Sequence, residues 1–97
     1  MFKAYLAVLS YLLIGSSSAA LADALHDCAR LSGDAAIQAC DQAIRKNPRD
    51  AVSYNNRGVA YFHKGDLDRA IADYGEAIRL DPKLAAAYNN RGNAYKD

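Results

Sequence analysis

Side chains that carry chemistry are scarce in this sequence of 97 residues, which has no tryptophan or threonine and only two cysteines and two histidines. A zinc site at the cysteines would need two further ligands, and the chain has only His26 and His63 as histidines to offer. Beyond residue 22 the serine nucleophile candidates are Ser32 and Ser53, and neither has the nearby histidine and acid that activation requires. We therefore expect no enzyme, no metal site and no cofactor.

The N-terminal stretch has the pattern of an export signal. It has a basic start at Lys3, an apolar segment over 4–14 and a small-residue tail that ends in Ala20-Leu21-Ala22. This arrangement predicts a secretory signal peptide over 1–22, with cleavage after Ala22. The alternative, an uncleaved membrane anchor, needs roughly 20 apolar residues, more than this segment offers.

Residues 23–97, which remain after cleavage, carry no net charge. The whole chain has 12 Lys and Arg against 11 Asp and Glu, and Lys3 is the only charged residue of the first 22. A neutral chain gives no electrostatic reason to bind nucleic acid or an anionic membrane. We expect a protein of a bacterial periplasm or the extracellular space, with no nucleic-acid partner and no stable membrane insertion after cleavage.

An internal repeat organises the mature chain. The segment 51–63 recurs as 85–97, with eight of 13 positions identical, and Pro48 recurs at the same offset as Pro82. A repeat period of about 34 residues is typical of a helical solenoid.

Local signals agree with a helical repeat. Apolar residues follow one helical face at positions 70, 71, 74, 77 and 78. Gly65-Asp66 breaks the chain between two such stretches, and a residue that precedes proline is driven out of the helical region, which ends helices at Asn47 and Asp81. The sequence predicts helices over about 24–31, 34–46, 50–63, 67–80 and 84–96.

These residues resemble the tetratricopeptide repeat, whose pattern combines aromatic, small and closing proline positions in a unit of the same period. The matching positions are Tyr54, Arg57-Gly58, Tyr61, Ala70, Tyr74, Ala77 and Pro82. The resemblance covers about 36–97 and implies an all-α fold, with antiparallel helical hairpins stacked in a right-handed solenoid. It divides the chain into a degenerate first hairpin at 23–50, a full repeat at 51–84, and a final segment at 85–97 that is either a capping helix or the first helix of a third repeat.

Arginine stands at two positions where the family has leucine. Because Arg57 occupies a core position, we expect its stem to be buried and its guanidinium to pair with Asp73 on the facing helix. On this interpretation Arg57→Leu leaves folding intact or improves it. Arg91 has no equivalent second helix in its own unit, so its charge is either solvated or available to a partner.

The two cysteines suit a disulfide bond. Cys28 and Cys40 follow an export signal, which places them in an oxidising compartment. If the first hairpin turns near Gly33, the two residues differ in height by only ~3 Å at about 1.5 Å per helical residue. The alternative is a pair of buried free thiols.

The resemblance implies a binding groove on the first helix of each unit. The residues expected to line it are Asn55, Asn56, Val59, Phe62, Asn89, Asn90 and Asn93. Asn56 and Asn90 lie one repeat apart and resemble the family's asparagines that hydrogen-bond the backbone of an extended peptide. The alternative is that these asparagines are solvated surface residues.

The sequence therefore predicts an exported, non-catalytic protein interaction module whose partner is a protein or peptide segment on the concave face. Asn55 and Val59 occupy places where carboxylate-clamping relatives carry basic residues, so a carboxylate clamp is not expected. The alternative function is structural, as the N-terminal part of a longer array or as a unit that associates with a second copy.

Overall fold

The computed structural model describes residues 20–97. Most of the expected signal peptide, residues 1–19, lies outside the described part. The described chain forms five helices: α1 over 20–30, α2 at Gly33–Lys46, α3 at Ala51–Lys64, α4 at Leu67–Leu80 and α5 at Ala85–Lys96. Residues 20–97 contain no strand, so the predicted all-α fold is confirmed.

The helices stack as antiparallel neighbours in two layers. Contacts join α2 to α3, α3 to α4 and α4 to α5, and α3 also touches α5. Helices α1, α3 and α5 thus form one layer, since Cys28 of α1 also lies against Ser53 of α3, and α2 and α4 each pack against α3. No helix within 20–97 combines the length and the apolar character needed to cross a bilayer.

The turns repeat with the same period as the sequence. Asn47 Oδ1 accepts a hydrogen bond from the Arg49 backbone N–H at 3.2 Å, and Asp81 Oδ1 accepts the equivalent bond from Lys83 at 3.1 Å. Between α3 and α4, α3 ends on Gly65, whose φ of 89° suits a residue without a side chain. These local bonds fix where the helices end, and the predicted ends lie within one residue of the observed ones for α2 to α5.

The first helix differs most from the prediction, because it already includes residue 20 rather than beginning near 24. Ala20, Leu21 and Ala22 are strong helix formers, and no Gly or Pro interrupts the chain between them and the predicted start near residue 24. The expected cleavage signal therefore lies within α1 of the full chain.

Small residues allow the layers to approach closely. Most of the buried apolar positions of α2 to α5 are alanines, and the large exception is Tyr74, which is 1% exposed. Its ring lies against Gly58, where an added Cβ would come within 2.6 Å of a ring carbon. Helices α3 and α4 therefore pack through a contact between an aromatic ring and a helix backbone.

Arg57 connects three helices. Its Nε and one terminal nitrogen donate to both carboxylate oxygens of Asp73 at 2.8 Å, and its other terminal nitrogen donates to Asp41 at 2.8 Å. The Asp73 side chain is 9% exposed, and the two carboxylates raise the pKa of the Arg57 guanidinium above its ordinary value. The predicted pair with Asp73 is confirmed, and the bond to Asp41 on α2 is an addition that the sequence argument missed.

Given this geometry, we now expect Arg57→Leu to destabilise the fold rather than to leave it intact. Removing Arg57 would leave a buried carboxylate on α4 without its bidentate partner, and an uncompensated buried charge is strongly destabilising. Replacing Arg57 and Asp73 together by apolar residues should change the stability little, because no buried charge is then left unpaired.

The first hairpin is held by a covalent bond. Cys28 of α1 and Cys40 of α2 form a disulfide with Cα atoms 4.6 Å apart, as the sequence predicted. Both residues are buried with Ala39 in a small cluster of their own. The Cys28 sulfur also lies 3.8 Å from the Ser53 carbonyl oxygen, which places α1 beside α3.

Candidate functional site

The layer of first helices carries two adjoining hollows. One lies between α1 and α3 with a volume of about 140 Å³, and the other lies between α3 and α5 with a volume of about 170 Å³. Val59 and His63 of α3 line both hollows. We call the two hollows together the asparagine groove, which is lined by Leu31, Ser32, Asn56, Val59, Phe62, His63, Tyr74, Asn90 and Asn93 as its principal side chains.

Amide side chains occupy equivalent places in the two hollows. Asn56 lines the hollow between α1 and α3, and Asn90, one repeat later, lines the hollow between α3 and α5 together with Asn93. Neither Asn56 nor Asn93 hydrogen-bonds through its side chain to another residue of the described chain. An amide can donate and accept at once, so both side chains offer both functions to a ligand.

Asn55 has a different position from the one its spacing suggested. It is 7% exposed, and its Oδ1 accepts a hydrogen bond from Asn90 Nδ2 at 3.1 Å. This bond joins α3 to α5 and fixes the orientation of the Asn90 amide. Asn55 therefore supports the groove from beneath, and the Asn90 side-chain oxygen remains available as an acceptor.

Apolar side chains complete the second hollow. Val59 and Phe62 lie half-buried on α3, and Tyr74 reaches the same hollow from α4. Burial, together with the nearby Asp73 charge, raises the pKa of Tyr74 to about 12, so its phenol stays neutral at physiological pH. The hollow thus places amides beside an aromatic and aliphatic surface.

No residue that lines either hollow is an Asp, Glu, Lys or Arg. Apart from His63, a ligand in the groove would therefore meet amides, a hydroxyl and apolar surface rather than a clamp of Lys, Arg, Asp or Glu side chains. This arrangement fits an uncharged group such as a peptide backbone.

The structure brings together five of the seven residues predicted for the groove: Asn56, Val59, Phe62, Asn90 and Asn93. Asn55 lies beneath them, and Asn89 is exposed on α5 and lines neither hollow. The groove wall formed by Ala29, Leu31 and Ser32 was missed, because α1 lacks the aromatic residue that marks a first helix of this kind. The predicted disulfide could have indicated this wall, since a bond between Cys28 and Cys40 holds α1 against α2.

A larger hollow of about 390 Å³ lies at the other side of α1, toward α2. Ala20 and Ala24 line it, and the preceding residues lie outside the described chain. It carries no functional assignment. Residues 20–97 also contain no group of three or more His, Cys, Asp or Glu side chains placed to hold a metal ion.

Comparison with protein families identifies the repeat. A tetratricopeptide repeat model matches residues 39–72, and a second model described as a TPR repeat matches residues 60–97. The two matches together cover 39–97, which is more than half of the chain. A search among curated proteins finds no match.

Proposed function

Since the chain belongs to the tetratricopeptide repeat family, we propose that it binds an extended segment of another protein in the asparagine groove. Tetratricopeptide repeats in general are protein interaction modules without catalytic activity. The observation that carries the proposal is the pair of amides, Asn56 and Asn90, at equivalent places in two adjoining hollows.

The chemistry of an extended backbone matches these amides. A strand presents N–H and C=O groups in alternation along its length. Asn56 can satisfy one of each, and Asn90, which donates one N–H to Asn55, keeps its acceptor oxygen. A segment that crosses α1, α3 and α5 would thus meet Asn56 in the first hollow and Asn90 and Asn93 in the second.

Side-chain preference would come from the second hollow. Val59 and Phe62 offer apolar surface beside the Asn93 amide, within a volume of about 170 Å³. We infer that the bound segment places one apolar side chain there, since the lining holds no Asp, Glu, Lys or Arg to pair with a charged one.

Export is part of the same proposal. The N-terminal pattern of a signal peptide and the Cys28–Cys40 disulfide both favour a periplasmic or extracellular protein. The bond also fixes α1, which forms one wall of the groove. A module of this kind requires neither a metal nor a cofactor.

Self-association, or continuation of the array, is the alternative function. The observation that favours it is the exposure of Tyr88 and Tyr95 on α5, at 44% and 67%. These side chains lie outside the asparagine groove, so the two functions use different surfaces.

Photo-crosslinking tests the groove directly. The photoreactive amino acid benzoyl-phenylalanine is placed at position 62 in the groove or, as the control, at position 72 on the exposed surface of α4. We expect a covalent adduct with an exported protein from position 62 and none from position 72. Adducts of equal yield from both positions would contradict the proposal.

A further inference from the structure

Helix α1 is attached to the rest of the chain differently from the other helices. Side-chain hydrogen bonds join α2 and α4 to Arg57 of α3, and another joins α5 to Asn55 of α3. Within residues 20–97, α1 forms no salt bridge to another helix. The covalent bond from Cys28 to Cys40 takes the place of such a contact.

Little apolar packing supports α1. Its buried side chains are Ala24 and Cys28, and the buried cluster around the disulfide holds Ala39 as its one residue besides the two cysteines. Leu25, a large apolar residue of α1, is 40% exposed. A helix shorter than about 12 residues is marginal in water on its own. Helix α1 therefore depends on the disulfide for its place beside α2 and α3.

The first hollow of the asparagine groove requires α1 in that place. Ala29, Leu31 and Ser32 form the wall on the α1 side, and Asn56 of α3 lies opposite. The second hollow is lined by residues of α3, α4 and α5 alone. Displacement of α1 would thus remove the first hollow and leave the second one intact.

We propose that oxidation of Cys28 and Cys40 completes the binding site, so that the chain holds a partner segment across both hollows only in its disulfide form. This inference rests on the proposed function, because it concerns the same groove. The two thiols give two electrons and two protons to an oxidant that is itself a disulfide, such as oxidised glutathione. The bond between the two cysteine sulfurs forms, and the oxidant leaves as two thiols. A chain that has not reached an oxidising compartment therefore binds weakly.

Burial makes this a step that is completed once rather than a reversible switch. Cys28 is 3% exposed and Cys40 is 0% exposed, so a reductant reaches the bond only after α1 opens. Redox-sensor cysteines, in contrast, are solvent-accessible. The bond thus forms when the chain meets an oxidising compartment and afterwards keeps the site complete.

A peptide selected on the oxidised chain from a phage-displayed library of random sequences supplies the probe. The peptide chosen is one whose binding is weakened by Asn93→Ala in the second hollow and unaffected by Asn89→Ala outside the groove. Its dissociation constant is measured by fluorescence anisotropy. The reduced chain is prepared by unfolding in urea and refolding with a phosphine reductant, and the oxidised control passes through the same steps without reductant. Cys28→Ala/Cys40→Ala provides a second form without the bond.

We expect the reduced chain and the double cysteine variant to bind the peptide at least about tenfold more weakly than the oxidised chain. Asn56→Ala should weaken binding to the oxidised chain about fivefold and leave binding to the reduced chain unchanged, because the hollow that Asn56 lines is then lost. Asn93→Ala is the matched control and should weaken both forms by the same factor. Amide hydrogen exchange should be faster in residues 23–31 of the reduced chain and unchanged in α4 and α5.

Three results would overturn the inference and leave the groove as the binding site. The first is equal affinity of the oxidised and reduced chains, and the second is an equal effect of Asn56→Ala on both. The third is unfolding of the whole reduced chain, which would show that the bond holds more than α1. Failure of the proposed function has a different signature, since no selected peptide would then lose affinity with Asn93→Ala, and the inference would fall with it.

Discussion

Gly58 and Gly92 lie in the same local sequence, but only Gly58 packs against the Tyr74 ring, so replacing each by alanine tests that contact. Both follow Asn-Asn-Arg in the interior of a helix, and alanine in such a place ordinarily stabilises by about 1 kcal/mol. At Gly58 the added methyl would lie 2.6, 2.8 and 3.2 Å from three atoms of the Tyr74 ring. That ring is 1% exposed and has little room to move.

The two substitutions should therefore differ in sign. Forcing a methyl into a packed site costs about 1–3 kcal/mol, which outweighs the helix propensity at position 58. Gly58→Ala should lower the free energy of unfolding by about 1 kcal/mol, and Gly92→Ala should raise it by about 1 kcal/mol. For a domain of this size the melting temperatures of the two variants should differ by roughly 10 °C.

Thermal and urea unfolding followed by circular dichroism at 222 nm measure both variants under the same oxidising conditions. The wild-type chain is the reference, and its transition should lie between those of the two variants. Equal stabilisation by both substitutions would refute the reasoning, because it would mean that the Tyr74 ring does not confine Gly58.

Three further changes test the charge pair, the buried phenol and the disulfide. Arg57→Leu should destabilise by about 3–5 kcal/mol in urea unfolding and Arg57→Leu/Asp73→Leu by much less, because the double variant leaves no buried carboxylate unpaired; equal stability of the two variants would contradict this. Since the pKa of Tyr74 is raised to about 12, its phenol is neutral in both states below pH 10 and ionises first in the unfolded chain above it. Stability should therefore fall by about 1 kcal/mol between pH 9 and 11, and Tyr74→Phe should remove that part of the fall; an equal fall in both proteins would argue against a buried phenol. Cys28→Ser should cost about 3 kcal/mol and speed amide hydrogen exchange in α1, whereas unchanged exchange would show that the bond to Cys40 does not hold that helix.

Most of the fold could be predicted from the repeat period. A constant offset with matching turn residues placed four helices within one residue of their ends, because the hydrogen bonds that stop them at Asn47 and Asp81 are local. The pair of Arg57 with Asp73 was also predictable, since a short turn joins α3 to α4 and makes the two helices neighbours. The bond to Asp41 depends on how two units stack, which spacing within one unit does not determine.

The groove was predictable only in part, for the same reason. Helical spacing put Asn56, Asn90 and Asn93 on one layer, and the structure brings them to adjoining hollows. Spacing did not show that Asn55 turns inward to bond Asn90, because that contact joins residues 35 apart on two units. A sequence pattern thus predicts which face a residue lies on, whereas the distance between stacked units decides whether it meets solvent or another amide.

Recognition by the asparagine groove is tested most directly by measuring the affinity of the chain for the protein segment that crosslinks to position 62. Dissociation constants are measured for the wild-type chain, for Asn56→Ala in the groove and for Asn89→Ala, an exposed asparagine outside it. Loss of a backbone hydrogen bond is worth about 1 kcal/mol, so Asn56→Ala should weaken binding by roughly fivefold and Asn89→Ala should leave it unchanged. Equal affinity of all three proteins, or an equal loss in both variants, would contradict recognition by the groove.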